Sequence, residues 1–230
     1  IYLSVYNGKD HFSANYDGDT DSKDGSTMNW GNTIVSARWN YIFNNRLFSN
    51  TTVSYNNYLF DVNSYNNNKY ANSMGASIIN RYSADYRSGI NDWSYQIDFD
   101  YNPSPIHHIK FGTGYIYHRF RPEVMTSKIS EKTGDKVDRD TTYHSIANSR
   151  IYGHELSAYL EDNIKVNDRL RLNLGLHFSL FQVQKQSYSS LQPRVSARYQ
   201  LGKDVTLKAS YTQMSQYVHL LSSMPIAMPT

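Results

Sequence analysis

Residues 169–180, with the sequence RLRLNLGLHFSL, alternate between polar and apolar side chains without a break. Because successive side chains of a β-strand point to opposite faces of a sheet, this run predicts a strand with one wholly apolar face. That face carries leucine or phenylalanine at every even position from Leu170 to Leu180. It must be covered by a second protein layer or by lipid, and the choice between these two decides what kind of protein this is.

The same alternation recurs along the chain and predicts about nine strands and no amphipathic helix. It is clear in 93–101, 152–166, 191–201 and 205–211, looser in 31–43 and 109–117, and weakest in 1–16 and 47–61. Short turns rich in Asn, Asp, Gly and Pro are predicted at about 44–46, 102–106, 167–169 and 202–204. Long polar outer loops are predicted at about 17–29, 62–90 and 122–150, with a shorter one at 185–190. The sequence leaves open whether residues 74–88 form an extra hairpin.

Composition narrows the class of protein. Apolar residues make up 39% of the chain, below the roughly 45–50% of globular domains, which suits strands that bury only one face. The net charge is +3 without a basic cluster among aromatic residues, so nucleic acid is not an expected partner. The absence of cysteine excludes disulfides and thiolate metal sites within these residues. No stretch reaches the ~18 apolar residues of a membrane helix.

The pairing of short turns at one end of the strands with long loops at the other is typical of outer-membrane barrels. An eleven-residue strand such as 170–180 is roughly 36 Å long, and at a tilt of about 45° it rises roughly 25 Å, the height of the apolar band of such barrels. We therefore predict an all-β fold, an antiparallel up-and-down transmembrane β-barrel wall. Bacterial barrels have even strand numbers, so the nine strands are expected to be a contiguous piece of a larger barrel. A soluble β-sandwich, in which a second layer covers the leucines, is the alternative.

Three stretches resemble the β-barrel of TonB-dependent outer-membrane receptors. They are NWGNTIVSARWNYIFNNRLFSNTTVSY, HELSAYLEDNIKVNDRLRLNLGLHFS, and LQPRVSARYQLGKDVTLKASYTQMSQYVHLLS with the later MPT. The resemblance implies a barrel of about 22 strands in a Gram-negative outer membrane, an N-terminal plug inside it and a TonB-box segment. The plug, the box and roughly half of the strands have no counterpart in these residues, and a signal peptide is expected in the parent protein.

The resemblance also implies a function and a set of partners. The function is the energised import of a nutrient such as a glycan, siderophore or peptide. The partners are outer-membrane lipid, the plug domain of the same protein and the TonB complex, reached through the missing region. The nutrient ligand and a surface lipoprotein complete the set.

Charged residues of the polar strand faces are the candidates for lining the lumen. They are Glu155, Glu161, Lys165, Arg171, His177, Arg194 and Arg198. Opposite charges on adjacent antiparallel strands can pair. We favour contacts with the plug as their role, and lining the route of the ligand is the alternative.

The loops are the candidates for ligand capture, because recognition residues concentrate on loops held by a rigid scaffold. Loop 62–90 carries four tyrosines among many asparagines, a mixture suited to stacking on sugars or peptides: Tyr65, Tyr70, Tyr82 and Tyr86. A merely solvated outer surface is the alternative interpretation. The segment 213–224, after the last strand, could also face the ligand.

Signals of enzymatic chemistry are weak. The chain has no GxSxG, P-loop or GxGxxG motif. His107, His108 and His118 lack a cysteine or carboxylate at metal-ligand spacing, so no metal site is predicted. Asp98 and Asp100 share a strand face, but inward barrel charges explain them without catalysis. We predict no catalytic residue and no cofactor. The competing functions are a transport protein, a soluble lectin-like binding module, and an outer-membrane enzyme or structural barrel.

Overall fold

The computed structural model describes residues 1–17, 22–146 and 150–218. These residues form one antiparallel sheet of ten strands. The strands are β1 (Tyr2–Asp17), β2 (Ser22–Asn44), β3 (Leu47–Ala71), β4 (Ser77–Tyr101), β5 (His107–Thr133), β6 (Lys136–Ile146), β7 (Ile151–Lys165), β8 (Leu170–Val183), β9 (Gln186–Gln200) and β10 (Thr206–Thr212).

The strand order confirms the predicted up-and-down all-β fold. Each strand pairs with its neighbour in the order β1-β2-β3-β4-β5-β7-β8-β9-β10. Each of the nine strands of this path overlaps one of the nine alternating runs of the sequence. The tenth, β6, pairs only with the second half of β5. Within the described ranges, no helix is long and apolar enough to cross a membrane.

The secondary structure differs from the long loops predicted over 17–29, 62–90 and 122–150. Most of these residues continue the strands, and the fully described reversals within these ranges are short, at 72–76 and 134–135. Residues 18–21 and 147–149 lie outside the described residues. Residues 77–88 belong to β4 itself, so 74–88 form no separate hairpin. The predicted loop at 185–190 is likewise mostly strand, because β8 and β9 are joined at residues 184–185.

Polar ladders explain why the sequence pattern misses these strand segments. Their cross-strand contacts are hydrogen bonds between side chains, such as Ser22 Oγ to Asn68 Oδ1 (2.7 Å) and Asn29 Nδ2 to Asp61 Oδ2 (2.8 Å). Over most of these segments polar residues occupy both faces, so the period-2 alternation of hydrophobicity is weak and the composition matches that of a loop. Gly75 and Gly134 lie in the two reversals and adopt positive φ angles of 79° and 58°, a conformation that glycine adopts without steric cost.

Asparagine and serine side chains shape the short turns at the other end of the strands. The Asn44 side chain accepts hydrogen bonds from the backbone N–H groups of Arg46 (2.8 Å) and Leu47 (3.1 Å). Asn167 does the same for Arg169 and Leu170. These side chains replace the backbone partner that a tight turn lacks.

The register places the apolar side chains of neighbouring strands side by side on one face. Leu156 lies opposite Leu180, and Leu176 lies opposite both Leu160 and Pro193. We call this face, which also carries Trp93, the apolar face; the other, which carries Asp92 and Arg171, is the polar face. Asp162 is an exception on the apolar face, where His107 Nδ1 lies 2.7 Å from its carboxylate.

Burial is inverted relative to a soluble protein. Among the described hydrophobic side chains only Val62 and Phe181 are buried, whereas Leu176 is 46% exposed. The buried polar side chains outnumber them and are Ser49, Asn91, His118, Ser179 and Gln192. The described residues form one layer, with no second sheet against the leucines. A two-layer sandwich is therefore not the fold of the described part of the chain.

Beyond the apolar band, away from the short turns, the polarity of the two faces is reversed. On the polar-face side, the strands next carry Trp30 opposite Phe60 and Val62 opposite Tyr86. The same stretch carries Asn29, Asp61 and Asp85 on the apolar-face side. We call this part of the sheet the extension; it comprises residues 10–17, 22–30, 60–71, 77–88 and 124–146. A face with polar side chains is compatible with water, so the apolar band ends where the extension begins.

Aromatic side chains border the apolar band. Near the short turns, Tyr41 packs against Phe43 with ring centroids 4.8 Å apart, and Phe99 stacks on Phe111 at 4.9 Å. Next to the extension, Tyr55 packs against Trp93 at 4.7 Å, and Tyr117 stacks on Tyr152 at 5.9 Å. Two aromatic girdles on either side of an apolar band are typical of a membrane-spanning barrel wall.

Candidate functional site

The polar face brings together all seven charged residues that the sequence singled out. Glu155, Glu161 and Lys165 project from β7, Arg171 and His177 from β8, and Arg194 and Arg198 from β9, and the register puts them on one side of the sheet. They form no single cluster. Glu155 and His177 lie toward the extension, whereas Lys165, Arg171 and Arg198 lie toward the short turns.

His118 is the centre of the group near the extension. Its Nδ1 lies 2.8 Å from a carboxylate oxygen of Asp92, and its Nε2 lies 3.5 Å from one of Glu155. The residue is 7% exposed. A buried polar ring is stable only with such partners. The sequence could not indicate this contact, because the three residues belong to three different strands.

An aromatic stack adjoins His118 on the polar face. The Phe181 ring lies 5.9 Å from the His118 ring and 5.4 Å from the Tyr217 ring, to which it is nearly parallel. Gly153 lies beneath Phe181, and a Cβ there would come within 3.2 Å of the ring. The glycine therefore makes room for the phenylalanine.

Tyr217 ties the segment after β10 to β8. Its hydroxyl lies 2.8 Å from Ser179 Oγ, which also accepts a hydrogen bond from Gln192 Nε2 (2.8 Å). The sequence suggested residues 213–224 as a ligand-facing segment. Residues 213–218 are described and place Tyr217 on the polar face; the remainder lies outside the described residues.

Tyr159 bridges three strands nearer the middle of the polar face. Its hydroxyl donates a 2.7 Å hydrogen bond to Asp98 on β4. The ring passes over Gly112 of the intervening strand β5, where a Cβ would lie 2.9 Å from Tyr159 Cε1 and 2.5 Å from the Ile97 carbonyl oxygen. Gly112 is thus required by the close approach of a neighbouring ring and backbone.

Polar contacts continue toward the short turns. Asn173 Nδ2 donates to Glu161 Oε1 (2.6 Å) and to Asn163 Oδ1 (2.7 Å). In the turn itself, Lys165 Nζ lies 2.7 Å from Asp168 Oδ1. The hydrogen bond from Lys165 lowers the pKa of the exposed Asp168 carboxyl below its ordinary value.

The four tyrosines proposed for ligand capture divide between the two sides of the extension. Tyr70, Tyr82 and Tyr86 lie on the side that continues the polar face, and Tyr65 lies on the other. Strict alternation along β3 and β4 causes this division. Tyr86 packs against Phe60 with ring centroids 6.1 Å apart. Trp30, Phe60 and Val62 belong to the same patch but were not predicted from the sequence. The two-residue spacing of Phe60 and Val62 along β3 was a usable signal.

Three of the described histidines contact carboxylates. His107 contacts Asp162, His108 contacts Asp100, and His118 contacts both Asp92 and Glu155. Within the described ranges, no group of three or more His, Asp or Glu residues could hold a metal ion.

A single sheet with an apolar face bordered by aromatic girdles and a polar opposite face defines the wall of a membrane-spanning β-barrel. The family model "TonB dependent receptor-like, beta-barrel" matches residues 2–216. The chain therefore belongs to the TonB-dependent receptor β-barrel family and is an outer-membrane protein of Gram-negative type, as the sequence predicted. Comparison with curated protein sequences finds no match.

Several solved structures are similar to this chain at low sequence identity. The ferric preacinetobactin receptor BauA from Acinetobacter baumannii is 9% identical, with a TM-score of 0.54 over 90% of this chain and 39% of that chain. The FrpB iron transporter from Neisseria meningitidis is 10% identical (TM-score 0.43, 91% of this chain, 45% of that chain). The pyoverdine receptor FpvA from Pseudomonas aeruginosa is 11% identical (TM-score 0.40, 90% and 44%). The chain spans about two fifths of the length of these solved structures.

Proposed function

We propose that this chain forms part of the wall of a receptor that binds a nutrient outside the cell and imports it across the outer membrane. Family membership supports this function. The observation that carries it is the exchange of character between the two faces at the start of the extension. This exchange divides the sheet into a lipid-compatible band near the short turns and a tyrosine-bearing patch in the extension, on the side that continues the polar face.

In this proposal the polar face lines the lumen and holds the plug domain of the full-length protein. Its hydrogen-bonded carboxylates and amides suit a folded domain, since buried polar surfaces in contact need matched donors and acceptors. The TonB complex would act through a region outside these residues. A surface lipoprotein could assist capture at the extension. Catalysis is not part of the proposal, because the family consists of receptors.

The nutrient is a glycan, siderophore or peptide. Tyr82 and Tyr86, with Phe60 and Trp30, offer aromatic faces on the lumen side of the extension. Aromatic rings supply contact area to any of these ligands.

Deletion of the gene in the native host tests the import function. We expect loss of growth on one class of compound among ferric siderophores, oligosaccharides and peptides, each supplied as the sole source of iron or carbon. Unchanged uptake of every compound in the deletion strain would contradict the proposed function.

Tyrosine variants test the assignment of the ligand patch. With the transported compound identified, we expect the double variant Tyr82→Ala/Tyr86→Ala to weaken binding to the purified receptor about tenfold, or ~1.4 kcal/mol. Tyr65→Ala is the matched control on the opposite side of the same hairpin and should bind normally. Equal losses in both variants would mean that the patch is wrongly assigned.

A further inference from the structure

Four cationic side chains form a row across four neighbouring strands of the polar face, near the short turns. Lys165 on β7 lies directly opposite Arg171 on β8, and Arg171 lies opposite Arg198 on β9. Arg198 in turn lies opposite Lys208 on β10. We call these four residues the cationic row.

Such a row is unfavourable for the sheet alone. Like charges directly opposite each other on antiparallel strands destabilise the pairing. Among the described residues, the only carboxylate at ion-pair distance from the row is Asp168, which contacts Lys165. That aspartate lies in the exposed turn and leaves Arg171, Arg198 and Lys208 without an ion pair within the described part of the chain. Four cations in register therefore call for an external anionic partner.

A groove lies over three members of the row. Its volume is about 330 Å³, and its lining includes Arg171, Arg198 and Lys208. Asn163, Asn173, Ser196 and Ser210 also line it and form the next row on the same face, two residues along each strand. Amide and hydroxyl groups beside guanidinium groups provide additional hydrogen-bond donors for carboxylates.

The dimensions of the row select the kind of anion. Strands in a sheet lie about 4.8 Å apart, so the four residues extend over about 14 Å. One phosphate or carboxylate can contact at most two adjacent members. An extended polypeptide, in which side chains of the same side recur every ~6.7 Å, can place two or three carboxylates along this length.

We propose that the cationic row docks an acidic, extended segment of the plug domain of the full-length protein. This inference rests on the proposed function, in which the polar face lines a plugged lumen. The position of the row favours the plug over the nutrient, because the row lies at the short-turn end, away from the tyrosine patch. Charge complementarity then orients the plug at this end of the barrel wall.

Photo-crosslinking in the full-length receptor tests the docking. The photoreactive residue p-benzoylphenylalanine replaces Ser210, which lines the groove without belonging to the row, and mass spectrometry identifies the cross-linked peptide. We expect one plug segment with at least two acidic residues. The double variant R171Q/R198Q should reduce the yield at least fivefold, and R171K/R198K should restore most of it. Lys203→Gln, in the β9–β10 turn, is the control and should not change the yield.

Several results would overturn the docking. They are a cross-link to a segment without acidic residues, to a periplasmic protein or to lipid, and a yield unaffected by R171Q/R198Q. In the receptor with an otherwise unaltered row, the yield should also fall when salt is raised from about 0.05 to 0.5 M, because exposed charges are then screened. A constant yield would contradict the ionic contact even if the glutamine variant failed to fold. Nutrient uptake by the unaltered receptor is measured separately. An unaltered receptor that forms the expected cross-link but imports no nutrient would count only against the proposed function.

Discussion

Replacement of Leu176 by arginine should lower the free energy of unfolding of the full-length protein by about 2–4 kcal/mol, the cost of a cation on the lipid face near the middle of the bilayer. Leu176 lies near the centre of β8 on the apolar face and is 46% exposed. In a soluble protein, arginine at an exposed position would be nearly neutral. The large expected effect therefore depends on the solvent of this face being hydrocarbon. Reversible urea unfolding from lipid vesicles measures it.

His177→Arg is the matched control for this prediction. It introduces the same side chain one residue later, on the polar face. We expect a much smaller change in the free energy of unfolding, because charged side chains are common on the lumen side of barrels. Equal destabilisation by Leu176→Arg and His177→Arg would show that the two faces have the same environment.

Truncation of Phe181 to alanine should lower the free energy of unfolding by about 3–5 kcal/mol, the usual range for a buried phenylalanine. Phe181 is 4% exposed and packs between the rings of His118 and Tyr217, above Gly153. Its removal leaves a cavity lined by protein, which lipid cannot fill from the opposite face. The free energy of unfolding in vesicles measures the effect.

Phe178→Ala provides the comparison on the apolar face. Phe178 is 40% exposed there, and lipid chains can occupy the space left by its ring. The free energy of unfolding should therefore fall by only about 1–2 kcal/mol, the transfer free energy of the deleted ring without the cost of a cavity. A larger loss for Phe178 than for Phe181 would contradict the assignment of the protein-buried and lipid-exposed faces.

The two faces of the band were predictable from sequence because side-chain alternation follows directly from strand geometry. In β8, leucine or phenylalanine occupies every second position from 170 to 180, and no other regular structure puts all of these side chains on one side. Strand order followed from the short turns, since consecutive antiparallel strands joined by tight turns are neighbours. The seven charged candidates could be placed on one face for the same reason.

The extension was not predictable in the same way. Its strands are held by hydrogen bonds among asparagine, serine and aspartate, such as Asn29 with Asp61, and composition alone assigns such residues to loops. The register of β3 with β4 puts Tyr65 and Tyr86 on opposite sides of one hairpin, and the sequence of a predicted loop does not reveal that register. The neighbours of His118 depend on the register of three strands, which the sequence of any one strand does not contain.

A spin-label scan of residues 170–181 tests the central claim most directly. The 230 residues contain no cysteine, so a nitroxide attached to single cysteines introduced in this run reports each position in turn. In the full-length protein in lipid vesicles, collision rates with oxygen, which concentrates in hydrocarbon, should be high at the even positions from Leu170 to Leu180 and low at the odd ones. Even positions that are shielded from oxygen, or that collide more with a water-soluble nickel complex, would contradict a lipid-facing wall.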